Sequence, residues 1–149
     1  MNLALQFVAL FSTALFVGAA LYVNLVEHPA RMECGTALAV TEFGPSYRRA
    51  TRMQASLAIV ACLSAFSSWW IGRELAWLVG TILIGSVVVF TLIVMMPTNA
   101  KLVDPTLDRS SETARQLLVR WARLHAVRTV CSMTALLIFL VAAIAHLQP

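Results

Sequence analysis

Four stretches of the chain contain no Asp, Glu, Lys or Arg: residues 1–26, 54–72, 75–96 and 129–149. Each is long enough to cross about 30 Å of hydrocarbon at about 1.5 Å per residue of helix. The polar residues of the first stretch are not scattered. Wound at 3.6 residues per turn, Gln6, Thr13, Asn24 and His28 fall within about 60° of one another. Such a stripe should face protein, because an unpaired polar group facing lipid is costly. Pro29 follows at once and disfavours helical geometry at His28, so the first helix is expected to stop or bend there.

The intervening segments predict the rest of the architecture. "RMECGTALAVTEF" has enough periodicity for a short interfacial helix, and Gly44-Pro45-Ser46 reads as a break before the second span. "WWIGRELAW" (69–77) predicts a tight hairpin with Trp69, Trp70 and Trp77 as interfacial anchors. The third span is expected to give way to loop at Pro97 and Asn99. "DPTLDRSSETARQ" supplies turn residues, with Ser110 or Ser111 as N-cap and Glu112 in the first turn of one long final helix. The predicted fold is an all-α integral membrane protein: a four-transmembrane-helix bundle. It has a short interfacial helix in the first loop and a long fourth helix extending into the cytoplasm. The whole chain, 1–149, reads as a single transmembrane domain with spans at about 2–26, 47–71, 75–96 and 111–146.

Composition agrees, with 60% apolar and 12% charged residues and a mean hydropathy of +0.81, far from a soluble domain. The first apolar run lacks a basic leader and is too long for a signal-peptide core, so it reads as a retained span. Charge adds orientation. Of eleven Lys and Arg, ten lie in the first and third inter-span segments and only Arg73 in the second. The positive-inside rule then places loops 27–53 and 97–128 in the cytoplasm and both termini outside, in a bacterial inner or plasma membrane. The net charge of +4 reflects this topology and contact with anionic membrane lipid, so no nucleic acid partner is implied. Cys34, Cys62 and Cys131 show no metal-ligand spacing and read as small apolar fillers. His146 reads as interfacial.

The unusual residues gather at one depth. Tyr22, Asn24, Glu27 and His28 end the first span; Arg49 and Arg52 begin the second. Asn99 ends the third, and "WARLHAVR" (121–128) puts Trp121, His125 and Arg128 within about 60° on one face of the fourth. A four-helix bundle brings these together as a polar pocket. Structural readings compete with functional ones: Arg48, Arg49, Arg52 and Arg128 can snorkel to headgroups, Glu27 can pair with an arginine, and either histidine can be a hydrogen-bonded core residue. Haem, copper or iron held by His28 and His125 is an alternative without a ligand motif to support it.

"LYVNLVEHPARM", "SYRRATRMQ", "PTNAKL" and "WARLHAVRT", in this order on four spans, resemble the anthrone oxygenase-like family of small membrane proteins over nearly the whole chain. The resemblance implies a cofactor-independent oxygenase, with dioxygen as co-substrate and a flat hydrophobic small molecule as substrate. A base must then remove a proton to give an electron-rich anion, and donors must hold the developing oxyanion. On that reading His125 is the base and Arg128 and Asn99 are oxyanion donors. Trp121 is an aromatic wall, and Asn24, His28, Tyr22, Glu27 and Arg52 are substrate contacts; no metal ligands are assigned. The other class of reading is a non-enzymatic membrane protein that binds a lipid, quinone or partner subunit. Either is compatible with a homo-oligomer.

Overall fold

The computed structural model describes residues 3–145, so His146 lies outside the described residues. Four helical rods long and apolar enough to cross a membrane make up the molecule: Leu3–Glu33, Thr36–Gly72, Leu75–Leu102 and Glu112–Ala145. The first comprises α1 (Leu3–Tyr22), a π-helical turn (Val23–Glu27) and α2 (His28–Glu33). The second is α3 (Thr36–Gly72). The third comprises α4 (Leu75–Phe90), a second π turn (Thr91–Met95) and α5 (Met96–Leu102). The fourth is α6 (Glu112–Ala145). No strand occurs among the described residues. The first two connections take two residues each, which forces neighbours to run antiparallel. In the ring so formed α1 packs on α3 and α6, and α4 packs on the same two helices.

The core is built from small residues. Ala9, Ala58, Ala61, Ala65 and Ala135 are all buried, while Leu63, Ile82, Leu92 and Val141 point outward. Lipid tails are as apolar as leucine, so helices in a membrane associate through close packing, and small side chains allow the approach. Gly80 is the tightest case: a Cβ there would meet the Phe139 ring at 2.2 Å. That ring is itself stacked on Trp77 at 5.0 Å.

Proline did not set the boundaries that its sequence positions predicted. The first rod continues through Pro29 and the third through Pro97, because each proline lies two residues after a π turn. In these turns the His28 N–H bonds the Val23 carbonyl, and the Met96 N–H bonds that of Thr91. The wider turn absorbs the disruption around a residue that has no N–H to give. Asn99 is therefore a helical, fully buried residue and not the start of a loop. The expected interfacial helix over 31–43 is divided: residues 31–33 end the first rod, and the part from Thr36 is helical and continuous with the second span, with Pro45 inside α3. Gly44 removes one part of the cost, the clash of the proline ring with the preceding Cβ, though the missing N–H of Pro45 remains. The break falls earlier, at Gly35, whose φ of +90° suits only glycine.

The other ends follow expectation more closely. Ser111 caps α6, its Oγ accepting the Ala114 N–H at 3.1 Å, and Glu112 pairs with Arg115 at 2.8 Å. In the loop before it, the Thr106 hydroxyl and N–H donate to Asp104 and hold that carboxyl below its usual range. At the opposite end of the bundle Arg73 adopts the left-handed conformation and lies 4.5 Å over the Trp70 ring. Trp70 is exposed as an anchor should be, but Trp77 is not. It is fully buried against Phe139, with its Nε1 donating to Glu74 at 3.1 Å.

Candidate functional site

A cavity of about 30 Å³ lies at the end of the bundle that carries most of the basic residues. All four rods supply its walls: Val23, Glu27 and Arg31; Phe43, Ser46, Thr51 and Gln54; Met95 and Asn99; and Trp121, His125 and Arg128. A void of this size holds about two waters. A second one, of about 110 Å³, is lined mostly by α3 and α4 and shares Thr51, Gln54 and Arg128 with the first. Its other walls are largely apolar and include Phe16, Ala58, Val87 and Leu92.

The π turn of the first rod places Asn24 against the fourth. Asn24 Oδ1 lies 2.8 Å from His125 Nδ1, and its Nδ2 donates to Thr129 Oγ1 at 2.7 Å. The Thr129 hydroxyl in turn reaches the His125 carbonyl at 3.1 Å. Trp121, one turn before His125, packs against it with ring centroids 4.8 Å apart and against His28 at 5.3 Å, tilted in both cases. His28 is thus buried next to Trp121 without lining the cavity.

Two arginines stand here in contrasting electrostatic settings. Arg31 is buried and neutralised: it pairs with Glu27, and its Nε lies 2.7 Å from Glu42. Ser46 completes this cluster by donating to Glu27 at 2.6 Å. Among the described residues Arg128 has no carboxylate partner. Its guanidinium donates to the neutral amide oxygen of Gln54 and lies 5.4 Å over the Phe16 ring, and its buried Nε has no partner.

Unmet polar atoms gather around the same space. His28 Nδ1, Asn99 Oδ1, Trp121 Nε1 and Arg128 Nε are all buried without a hydrogen-bond partner among the described residues; Arg31 Nε also lacks an aligned hydrogen bond, although its ion-pair contact with Glu42 is 2.7 Å. An orphaned buried polar atom costs about 1–3 kcal/mol. Four in one neighbourhood indicate a place where a ligand or water completes the bonding.

The residues singled out in the sequence divide accordingly. Asn99, Trp121, His125, Arg128 and Glu27 line the cavity, whereas Asn24 supports it through His125. Tyr22 and Arg52 are exposed and outside the lining. A helix of 3.6 residues per turn turns Tyr22 away from the face that carries Asn24, and Arg52 away from that of Gln54. Arg31, Ser46, Gln54 and Thr129 were not singled out, although two signals for them were present. Thr129 lies four residues after His125, hence on its face, and Arg31 lies four after Glu27 in ion-pair register. Among the described residues no three His, Cys, Asp or Glu side chains come together in a way that could hold a metal ion.

The fold and site together define a four-span membrane protein with a polar pocket, holding an arginine that has no carboxylate partner among the described residues, at one end of an otherwise apolar bundle. A family model for anthrone oxygenase matches residues 43–138, which include Gln54, Asn99, Trp121, His125 and Arg128. The chain is also 31% identical over 136 residues to anthrone oxygenase tpcL of Aspergillus fumigatus, an alignment that covers 84% of each chain. The protein belongs to the anthrone oxygenase family. No solved structure matches it.

Proposed function

We propose that this protein oxidises a flat, hydrophobic anthrone-type substrate to the quinone with dioxygen, using its own side chains and no other cofactor. His125 removes a proton from the methylene carbon opposite the substrate carbonyl. The resulting anion carries its charge on the carbonyl oxygen and is stabilised there by Arg128 and the Asn99 amide. Dioxygen adds at the deprotonated carbon and gives a hydroperoxide. Loss of water then leaves the second carbonyl, so that one anthrone and one dioxygen yield one quinone and one water. A three-ring substrate far exceeds the room for about two waters that the cavity offers, so its binding requires the walls to part, with Trp121 as the aromatic one. A greasy substrate and dioxygen both partition into the bilayer, and the apolar void beside Arg128 supports entry from that side.

The observation that carries this reading is the pairing state of Arg128. A cation among membrane helices is costly and is ordinarily paired. Arg31 follows that rule, with two carboxylates, whereas Arg128 is left with a neutral amide. A guanidinium without a carboxylate partner among the described residues therefore lines the same cavity as the histidine, which suits a reaction that turns a neutral substrate into an anion. The basic-residue asymmetry supports placing this end on the cytoplasmic side, with both termini outside.

Dioxygen uptake by the detergent-purified protein over a panel of anthrones tests the proposal. The expected result is catalysed uptake in a one-to-one ratio with quinone formed. His125→Gln, which keeps a hydrogen-bonding side chain but cannot titrate near neutrality, should lower kcat by about 10²–10⁴-fold. A folded His125→Gln protein with normal turnover would remove the histidine from the mechanism.

A further inference from the structure

We infer that Asn24 and Thr129 hold His125 in a single neutral tautomer, with the proton on Nδ1 and the lone pair on Nε2. They are positioning residues for the base, and the inference rests on the reading of His125 as that base. Hydrogen-bond bookkeeping carries it. A threonine hydroxyl has one proton to donate. Thr129 Oγ1 lies 3.1 Å from the His125 carbonyl, which can only accept, so the proton points there. The same oxygen must then accept from its other neighbour, which fixes Nδ2 of Asn24 as the amide atom facing it at 2.7 Å. Asn24 Oδ1 is thereby turned toward His125 Nδ1 at 2.8 Å. A carboxamide oxygen only accepts, so Nδ1 carries the hydrogen.

The opposite arrangement is self-consistent but poorer. With the Asn24 amide reversed, Thr129 would donate to Asn24 and give up the His125 carbonyl, leaving two bonds in place of three. The sequence of partners thus selects a tautomer without placing a charge beside the imidazole. That neutrality matters here. A carboxylate in the place of Asn24 would also accept from Nδ1, but its charge would offset that of Arg128, which the anionic intermediate needs. Nε2 makes no hydrogen bond among the described residues, and His125 lines the cavity. The free lone pair is the one left to take the substrate proton.

The nitrogen spectrum of the protein labelled with ¹⁵N-histidine tests this, since an N–H nitrogen and a lone-pair nitrogen resonate far apart. The spectrum of His125→Gln identifies the His125 signals by difference. Wild-type protein without substrate should show Nδ1 protonated and Nε2 bare. Thr129→Val keeps the shape but removes the hydroxyl, so both tautomers should appear. With its orienting partner loosened, kcat should fall about 10–100-fold with KM little changed. Thr129→Ser should restore both the spectrum and the rate. A wild-type spectrum with the proton on Nε2 overturns the assignment, and so does a tautomer ratio untouched by Thr129→Val. If Thr129→Val fails to fold, the wild-type spectrum decides alone. A locked Nδ1–H form in a protein that takes up no dioxygen with any anthrone would uphold the hydrogen-bond assignment and defeat the oxygenase reading instead.

Discussion

Arg128 offers the sharpest test of the chemistry, because the structure supplies its own control. Arg128→Gln removes the positive charge but leaves an amide that can still meet Gln54, so the local hydrogen bonding has a replacement. The loss then reports on charge. A guanidinium and an oxyanion about 4 Å apart attract by about 4 kcal/mol at the effective dielectric of about 20 that suits such sites. Removal of a single oxyanion donor costs about 10²–10³-fold in kcat elsewhere, which agrees in scale. A fall of that size is expected in steady-state dioxygen uptake, with KM affected less, since the interaction strengthens only as the anion forms. Arg128→Lys keeps the charge but loses the planar fork over Phe16, so intermediate activity is expected. Arg31→Gln is the control. It strands Glu27 and Glu42 without their cation, and Glu42 is half exposed, so the penalty falls below the about 3–5 kcal/mol of a fully buried broken pair. That penalty should appear as lowered thermal stability, with the rate of the folded fraction altered far less. A folded Arg128→Gln protein with wild-type kcat refutes the electrostatic argument. So would equal losses of kcat for the two arginines.

Two further predictions concern the scaffold. If ten of eleven basic residues mark the cytoplasmic side, an alkaline phosphatase fused to the C-terminus should be active and a fluorescent protein fused there dark; the reverse would invert the topology. Gly80→Ala should lower the Tm by forcing the Phe139 ring away from Trp77, at a cost of about 1–3 kcal/mol. Because this contact lies at the end opposite the cavity, kcat at a permissive temperature should stay unchanged. A Tm equal to wild type would show that the two helices are packed less closely there than the structure has them.

The spans and the composition of the pocket were legible for different reasons. Charge-free runs report the membrane directly, since every ionisable group inside one must be solvated by protein. The face shared by Trp121, His125 and Arg128 was legible because those residues lie on a regular helix, where spacing alone fixes direction. Asn24 fell on a predicted polar face of the first span, but its partner did not follow from it. That partner depends on which face of another helix lies opposite, and local periodicity holds no such information. Gln54 was missed on the same ground, since its importance comes from Arg128, 74 residues away; for Thr129 the face shared with His125 was readable, but not its partner Asn24, 105 residues away.

The prolines were misread in a way that bears on the site. Pro29 read as a stop or a bend and Pro45 and Pro97 as breaks, and helix continues through all three. Pro45 is eased by the glycine before it, which has no Cβ to meet the proline ring. Pro29 and Pro97 are carried by π turns that lie next to the cavity on two different rods. Those turns contribute Val23, Glu27 and Met95 to its walls, and they hold Asn24. A π turn widens the helix by one residue and changes the direction in which every later side chain leaves it. His28 and Arg31 come after the first such turn and Asn99 after the second, so a uniform helix of 3.6 residues per turn assigns each of them a direction the real backbone does not follow. The prolines were therefore signals of the pocket itself. Pro29 and Pro97 each follow an irregular turn at this depth; the first turn holds Asn24 against His125, and the second precedes Asn99 in the wall of the cavity that Arg128 also lines.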